Sequence, residues 1–410
     1  MLEILKKRGL VESTTLDLEQ ILQKPVKFYI GVDPTAASMH LGNLLGIVVV
    51  KWLQDAGHLP VLLAGGATGR IGDPSGKSHE RPLLSEGELT KNVAGLKKQF
   101  NHLVKGEVLD NYDWFSKFGV LEFLREAGKH FRMGPMLAKE SVKTRLESEE
   151  GMSYTEFSYQ LLQGYDFYHL NKEHGVSLQI GGSDQWGNIT AGIEYSRKRG
   201  GETLHGMTFP LLTRSDGKKF GKSEGGAVWL DPDMCSPYKF YQYLYSIPDS
   251  DVIKMMRMLT FLPLDEIAEY EKQLQSAPNK AQERLAVEVT RFVHGDAGLA
   301  SAKKGTEAMK PGATGALTEE MLQSNLSDLP SIDLDRNSVV GKAFDEVIVA
   351  SGLLKSKGEA VRLVKNGGAY LNNEKVIDAK ASISAEDLIG GRFLVVASGK
   401  KKKLVIKVVQ

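Results

Sequence analysis

With 410 residues, 41% hydrophobic and 25% charged, the chain has room for two or three domains and an ordinary globular composition, which excludes disordered and fibrous classes. A single cysteine, Cys235, excludes an internal disulfide and a Cys-rich metal site and points to a reducing compartment, and no apolar run reaches the ~18 residues of a membrane span. The net charge of +1 hides an asymmetry: residues 341–410 hold 13 Lys/Arg against 7 Asp/Glu, so a basic module follows a mildly acidic body and suits a polyanionic partner.

Residues 1–12 lack the long apolar core and small-residue cleavage site of a secretory signal. From Lys27 to about Leu230, short β-branched runs alternate with helical stretches, which predicts an α/β domain with a sheet of parallel strands. The expected strands are Lys27–Val32, Pro60–Leu63, Ser177–Ile180 and Met207–Leu212. The first runs into Asp33-Pro34-Thr35 and then His40-Leu41-Gly42-Asn43, which opens a helix over Leu44–Trp52. Strand, turn and helix N-terminus form a ready anion site. The second strand runs into Gly65–Gly69, and the third into Gly181-Gly182-Ser183-Asp184-Gln185. Loops at the carboxyl ends of parallel strands converge on one crevice. A basic, glycine-rich stretch, Ser215–Ser223, contains Lys219-Phe220-Gly221-Lys222-Ser223, whose two ammonium groups suit a developing phosphate charge.

After Asp231-Pro232 the pattern turns helical, with Ser236-Pro237 as a helix start and Leu285, Val289, Phe292 and Val293 along one face. Residues from about Ala302 to Val340 read as a linker. The tail has capping-box spacing in Ser356-Lys357-Gly358-Glu359, a helical stop at Asn366-Gly367-Gly368, and a hairpin of Arg392–Ala397 and Leu404–Val409 around a basic tip. The expected domains are therefore 1–230, 231–330 and 341–410.

Two glycine-rich patterns fail on spacing. A P-loop ending in Gly76-Lys77-Ser78 needs glycine where Ile71 stands, and Gly65–Gly72 lacks the G-x-G-x-x-G order of a dinucleotide fold. No metal-ligand spacing and no G-x-S-x-G nucleophile turn is present.

His40–Asn43 and Lys219–Ser223 resemble the HIGH and KMSKS motifs of class I aminoacyl-tRNA synthetases. Gly65–Lys77, Phe157–Phe167 and Leu178–Ala191 resemble the bacterial and organellar tyrosyl-tRNA synthetases, and the resemblance extends over essentially the whole chain. It implies a Rossmann-like, parallel-sheet catalytic domain, an all-α anticodon-side domain and a small α+β RNA-binding domain of ribosomal-protein type. It also implies tyrosine, ATP with Mg2+ carried on it, a tRNA and a homodimer as partners, and the cytoplasm, or an organelle after transit-peptide removal, as location. The resemblance assigns His40, Asn43, Lys77, Arg81, Lys219 and Lys222 to activation. It assigns Tyr29 and Asp166 to the phenol of the substrate, and Asp73, Tyr159 and Gln163 to its ammonium group. Gln185 falls near the bound amino acid, and Gly31, Asp33, Gly42, Gly182 and Asp184 near ATP. Lys355, Lys357, Arg362, Lys365, Lys400 and Lys401 fall to tRNA, and the region from Asn111–Trp114 to Lys129–Phe131 to subunit contact. Two departures stand out: Asn43 replaces the second motif histidine, and Phe220-Gly221 replaces Met-Ser. A tryptophanyl-type enzyme and a noncatalytic RNA-binding derivative are the alternatives.

Overall fold

The computed structural model describes residues 1–77, 79–215, 217, 220–223, 226–309, 317–325, 329–399 and 402–409. They form two compact units, 1–234 with 247–289, and 235–246 with 290–410.

The first unit is built on a six-stranded sheet of β1 (Ser13–Thr14), β2 (Lys27–Val32), β3 (Leu59–Ala64), β4 (Glu107–Asp110), β5 (Leu178–Gly182) and β6 (His205–Phe209). The spatial order is β1-β6-β5-β2-β3-β4, parallel throughout except for β1 against β6. The reversal of order beside β2 places the crevice at its carboxyl end, where Asp33 follows. The helices that cover the sheet include α1 (Leu41–Asp55), α2 (Glu86–Leu103), α3 (Tyr154–His174) and α4 (Trp186–Lys198). In α1 the β-branched run Ile47–Val50 is buried, so the helix reads as apolar almost all round. Gly46 lets it lie close to the sheet: a Cβ there would stand 2.8 Å from Ile30 Cδ1 and 3.1 Å from Phe209 Cζ. Ser153 caps α3 by accepting the Glu156 N–H at 3.1 Å, and Gly175 ends it in the left-handed conformation.

Four predicted strands are present with small shifts of boundary; β1 and β4, of two and four residues, were not anticipated. Ser236 accepts the Lys239 N–H at 3.2 Å and starts α5 (Pro237–Tyr245) as expected. Next come α6 (Asp249–Leu259), α7 (Leu264–Gln273) and α8 (Lys280–Ala308), in which Gly295 breaks the helical dihedrals and the helix resumes.

In the second unit the stretch read as a linker carries α9 (Glu319–Asn325) and β9 (Ser331–Asp335). β9 pairs in parallel with β13 (Lys402–Val409), so this segment is part of a sheet. Helices α10 (Phe344–Ala350) and α11 (Lys357–Lys365) precede β10 (Ala369–Leu371), β11 (Glu374–Lys375), β12 (Phe393–Ser398) and β13 (Lys402–Val409), in the order β11-β10-β12-β13-β9. Ser356 accepts the Glu359 N–H, while Glu359 reaches back to the Lys355 N–H rather than to that of Ser356. The core between helices and sheet includes Phe344, Val347, Ile348, Leu394, Val396 and Ile406.

Candidate active site

The carboxyl ends of β2, β3 and β5, the start of α1 and one face of α3 enclose a cavity of about 510 Å3. His40, Gly42, Asn43, Lys77 and Arg81 line it, with Gly31 and Asp33 at the end of β2 and just past it, and Gly182 and Asp184 at the end of β5 and just past it. Tyr29, Asp73, Tyr159, Gln163, Asp166 and Gln185 complete the wall. Residues far apart in the chain thus share one chamber.

His40 is the N-cap of α1 in extended conformation. Its Nδ1 accepts the Asn43 N–H at 3.2 Å, and its own N–H donates to Asn43 Oδ1 at 3.0 Å, a reciprocal capping box. The box engages the Asn43 oxygen, and the amide nitrogen is the donor that remains for the cavity. A Cβ on Gly42 would lie 2.9 Å from His40 Cε1, so the imidazole requires glycine there.

The second motif arrives against the same helix start. Gly221 has φ +84°, and a Cβ on it would lie 3.1 Å from Gly42 N and from Leu41 Cβ. Leu41 N–H donates to Val228 O at 2.8 Å, Val228 N–H to Gly221 O at 2.9 Å, and Phe220 N–H to Leu212 O at 3.0 Å. Phe220 and Gly221 line the cavity. The backbone of Lys222 belongs to the short strand Lys222–Ser223, paired with Gly226–Ala227; its side chain, all of Lys219, and Lys400 and Lys401 lie outside the described residues.

The inner end of the chamber is buried. Tyr29 is 1% exposed and its hydroxyl has no hydrogen-bond partner among the described residues. Asp166, 2% exposed, accepts Trp114 Nε1 at 2.8 Å and Asn111 Nδ2 at 3.0 Å. Burial raises its carboxyl to about 8 despite these donors. Burial and the neighbouring Asp166 together push the Tyr29 phenol well above its ordinary value. Asn111 also donates to Thr68 Oγ1 and accepts the Ala67 N–H. Asn111 and Trp114, at the start of the region expected in a subunit contact, are buried within this chain and donate to Asp166; nothing local in the sequence marks a residue that acts through another.

On the other wall, Asp73 accepts Gln185 Nε2 at 2.7 Å and the Ser75 N–H at 3.0 Å, and Gln163 Nε2 donates to Gln185 Oε1 at 3.2 Å. The second Gln163 atom, Oε1, is buried with no partner among the described residues. Tyr159 donates to Asp33 Oδ2 at 3.1 Å and Thr68 to Asp33 Oδ1 at 2.8 Å, with Arg81 Nη1 3.9 Å from the same carboxylate. Burial, then repulsion by Asp73, raises Asp33 to about 6. Burial, with Asp73 second, also raises Asp184. In the second unit Lys355, Lys357, Arg362 and Lys365 are exposed on and beside α11, with Lys357 Nζ 2.7 Å from Glu346 Oε1.

The family model of class I tRNA synthetases (W and Y) matches residues 22–309, and that of the tyrosine–tRNA ligase SYY-like C-terminal domain matches 320–406. The tyrosine–tRNA ligase of Protochlamydia amoebophila is 49% identical over all of this chain and 99% of its own length. The chloroplastic/mitochondrial tyrosine–tRNA ligase of Arabidopsis thaliana is 50% identical over all of this chain and 83% of its own. Among solved structures, a C-terminally truncated mitochondrial tyrosyl-tRNA synthetase of Aspergillus nidulans superposes with a TM-score of 0.64 at 33% identity, covering 73% of this chain and 91% of that one. These full-length likenesses favour tyrosine over the tryptophanyl-type and noncatalytic alternatives. Two motifs meeting at one helix start, a chamber closed by Tyr29 and Asp166, and relatives matched from end to end lead to one conclusion: the chain belongs to the tyrosine–tRNA ligases, class I aminoacyl-tRNA synthetases that activate tyrosine with ATP and transfer it to tRNA.

Proposed function

We propose that the substrate phenol enters between Tyr29 and Asp166, its ammonium group faces Asp73, Tyr159 and Gln163, and ATP lies along the start of α1 beside Asp33, Gly182 and Asp184. The observation that carries this reading is the buried Tyr29 hydroxyl, which has no partner among the described residues. A phenolic ligand supplies its missing acceptor and donates in turn to Asp166. An ammonium group likewise supplies a donor to the orphan Gln163 Oε1.

In this arrangement the tyrosine carboxylate attacks the α-phosphorus in line and the bond to pyrophosphate breaks. The protein contributes no nucleophile; it orients the two substrates and meets charge. The amide of Asn43 and the His40 imidazole face the α-phosphate side, while Lys77, Arg81, Lys219 and Lys222 neutralise the departing pyrophosphate. A terminal ribose hydroxyl of the tRNA then attacks the adenylate carbonyl and AMP leaves. Asp33 and Asp73 are already hydrogen-bonded to protein donors. That suits an Mg2+ ion held through the phosphate oxygens of ATP.

Lys355, Lys357, Arg362 and Lys365, with Lys400 and Lys401, grip the tRNA backbone on this reading. A homodimer is supported by the exposed apolar side chains of Val120, Leu121, Leu124 and Met133 in the first unit. Sedimentation at the monomer mass would refute it. Cytoplasm, or the matrix or stroma of an organelle, fits the lone cysteine.

The test is tyrosine- and phenylalanine-dependent ATP–pyrophosphate exchange by Tyr29→Phe. Removing the hydroxyl is expected to lower kcat/KM for tyrosine by about 10–100-fold while phenylalanine is affected far less. Equal losses for both amino acids would refute the placement.

A further inference from the structure

Helix α6 touches chain segments of both nucleotide motifs. At its carboxyl end, Arg8 Nη1 donates to Arg257 O at 3.1 Å and Thr260 O at 3.0 Å, and Nη2 donates to Leu262 O. The same guanidinium lies over Trp52, 4.5 Å from the ring centroid, and Trp52 is in the last turns of α1. The ring of Trp52 also meets Phe261, centroids 5.4 Å apart. One end of α6 is thereby tied to the helix that begins at His40.

The other end holds the chain just before the second motif. Asp251 Oδ1 accepts the Ser215 N–H at 2.9 Å, Ser250 Oγ is 3.1 Å from Ser215 Oγ, and Lys254 Nζ donates to Thr213 O at 3.2 Å. Asp251 is 2% exposed. One oxygen of a buried carboxylate accepting a backbone N–H at 2.9 Å makes a charge-assisted bond in a low-dielectric setting. The cavity beside this contact, lined by Lys6, Lys7, Arg8, Lys254 and Arg257, offers no comparable ligand site. Arg8 is used on carbonyls, Arg257 on Glu271 at 2.7 Å and Lys254 on Thr213.

We propose that Asp251, with Lys254 and Ser250, is a positioning site for the second motif: it sets the point and direction from which the chain carrying Lys219 and Lys222 departs, in register with α1. Asp251 touches no substrate and acts through the Thr213–Ser215 backbone. The inference rests on the reading of Lys219 and Lys222 as pyrophosphate-side cations. Its magnitude follows from geometry, since misplacing a charge-bearing group by about 1 Å costs up to about 10²-fold in rate.

The experiment measures pyrophosphate exchange, with separate kcat and KM for ATP and tyrosine, and thermal unfolding, in full-length Asp251→Ala, Asp251→Asn, Lys254→Met and Lys222→Ala and in the Asp251→Ala/Lys222→Ala double variant. Asp251→Ala is expected to lose about 10²-fold in kcat with the KM for tyrosine unchanged. Asp251→Asn keeps an oxygen for the Ser215 N–H and recovers most of the rate. Lys254→Met, at an exposed position, loses less but in the same parameter, and carries the test should Asp251→Ala fail to fold. The double variant is expected to be little slower than Lys222→Ala alone, because both changes remove the same transition-state contact. Multiplying losses, or wild-type kcat in folded Asp251→Ala or Lys254→Met, would overturn the positioning role. A wild-type rate in Lys222→Ala would instead overturn the reading of the motif, and this inference with it.

Discussion

Gly221 packs on Gly42 so closely that a single added carbon on Gly221 would stand 3.1 Å from the Gly42 nitrogen. The two motifs are therefore in backbone contact, and glycine at 221 meets two demands at once: φ of +84° and no side chain. Gly221→Ala is expected to strain that turn by about 1–2 kcal/mol, and to spread the second motif from the start of α1. The rate of adenylate formation should fall while tyrosine affinity, measured by equilibrium binding, holds. Unchanged exchange kinetics would show that the contact is incidental.

Asn43 separates cap from donor. Its oxygen closes the capping box with the His40 N–H, which leaves its nitrogen for the cavity. Asn43→Asp keeps the acceptor and removes the donor, so thermal stability should be retained while kcat for exchange drops by about 10²–10³-fold, the usual effect of losing one preorganised donor. Asn43→Ala should add a loss of about 1 kcal/mol in stability from the missing cap. Full activity in Asn43→Asp would remove this residue from the transition state.

Much of this site was legible in the sequence because its residues sit in short, continuous motifs at strand ends, where β-branched runs stop at Asp33, Gly65 and Gly181. The residues behind them were not. Asn111 and Trp114 reach Asp166 only through tertiary folding, and β4, which delivers Asn111, is too short for periodicity to mark. β9 was taken for linker because its Ile332 and Leu334 alternate over only five residues among Ser, Asp and Pro, and its partner β13 is remote in sequence. The Asp251–Ser215 bond joins a helix to a loop with no shared motif. Local pattern locates groups that meet the substrate better than groups that hold them.

Asp166 makes ligand-free stability depend on pH. Its carboxyl is raised from 3.8 to about 8 by burial, so the folded state binds its proton more tightly than the unfolded chain. The stabilising contribution is complete below the ordinary value and is lost as pH rises through about 8. Asp33, raised to about 6, adds to the lower part of the same window. The thermal midpoint of the ligand-free protein is expected to fall across this range, less steeply in Asp166→Asn. Parallel pH profiles for the two proteins would contradict the assignment.

Lys355, Lys357, Arg362 and Lys365 stand exposed on and beside α11, in the second unit. Phosphate contacts made by such residues release counterions, so each one lost should flatten the slope of log affinity against log salt by about 0.7–0.9. Replacing all four by glutamine is expected to weaken tRNA binding by an order of magnitude or more at low salt, and to reduce that slope. Tyrosine-dependent pyrophosphate exchange, which involves no RNA, should proceed at the wild-type rate, so that charging alone fails. The Lys357–Glu346 pair predicts an asymmetry within the set. Lys357 must give up a carboxylate to reach a phosphate, so Lys357→Gln alone should cost less tRNA affinity than Lys365→Gln. A quadruple variant with wild-type affinity and salt slope would move the RNA surface elsewhere in the molecule.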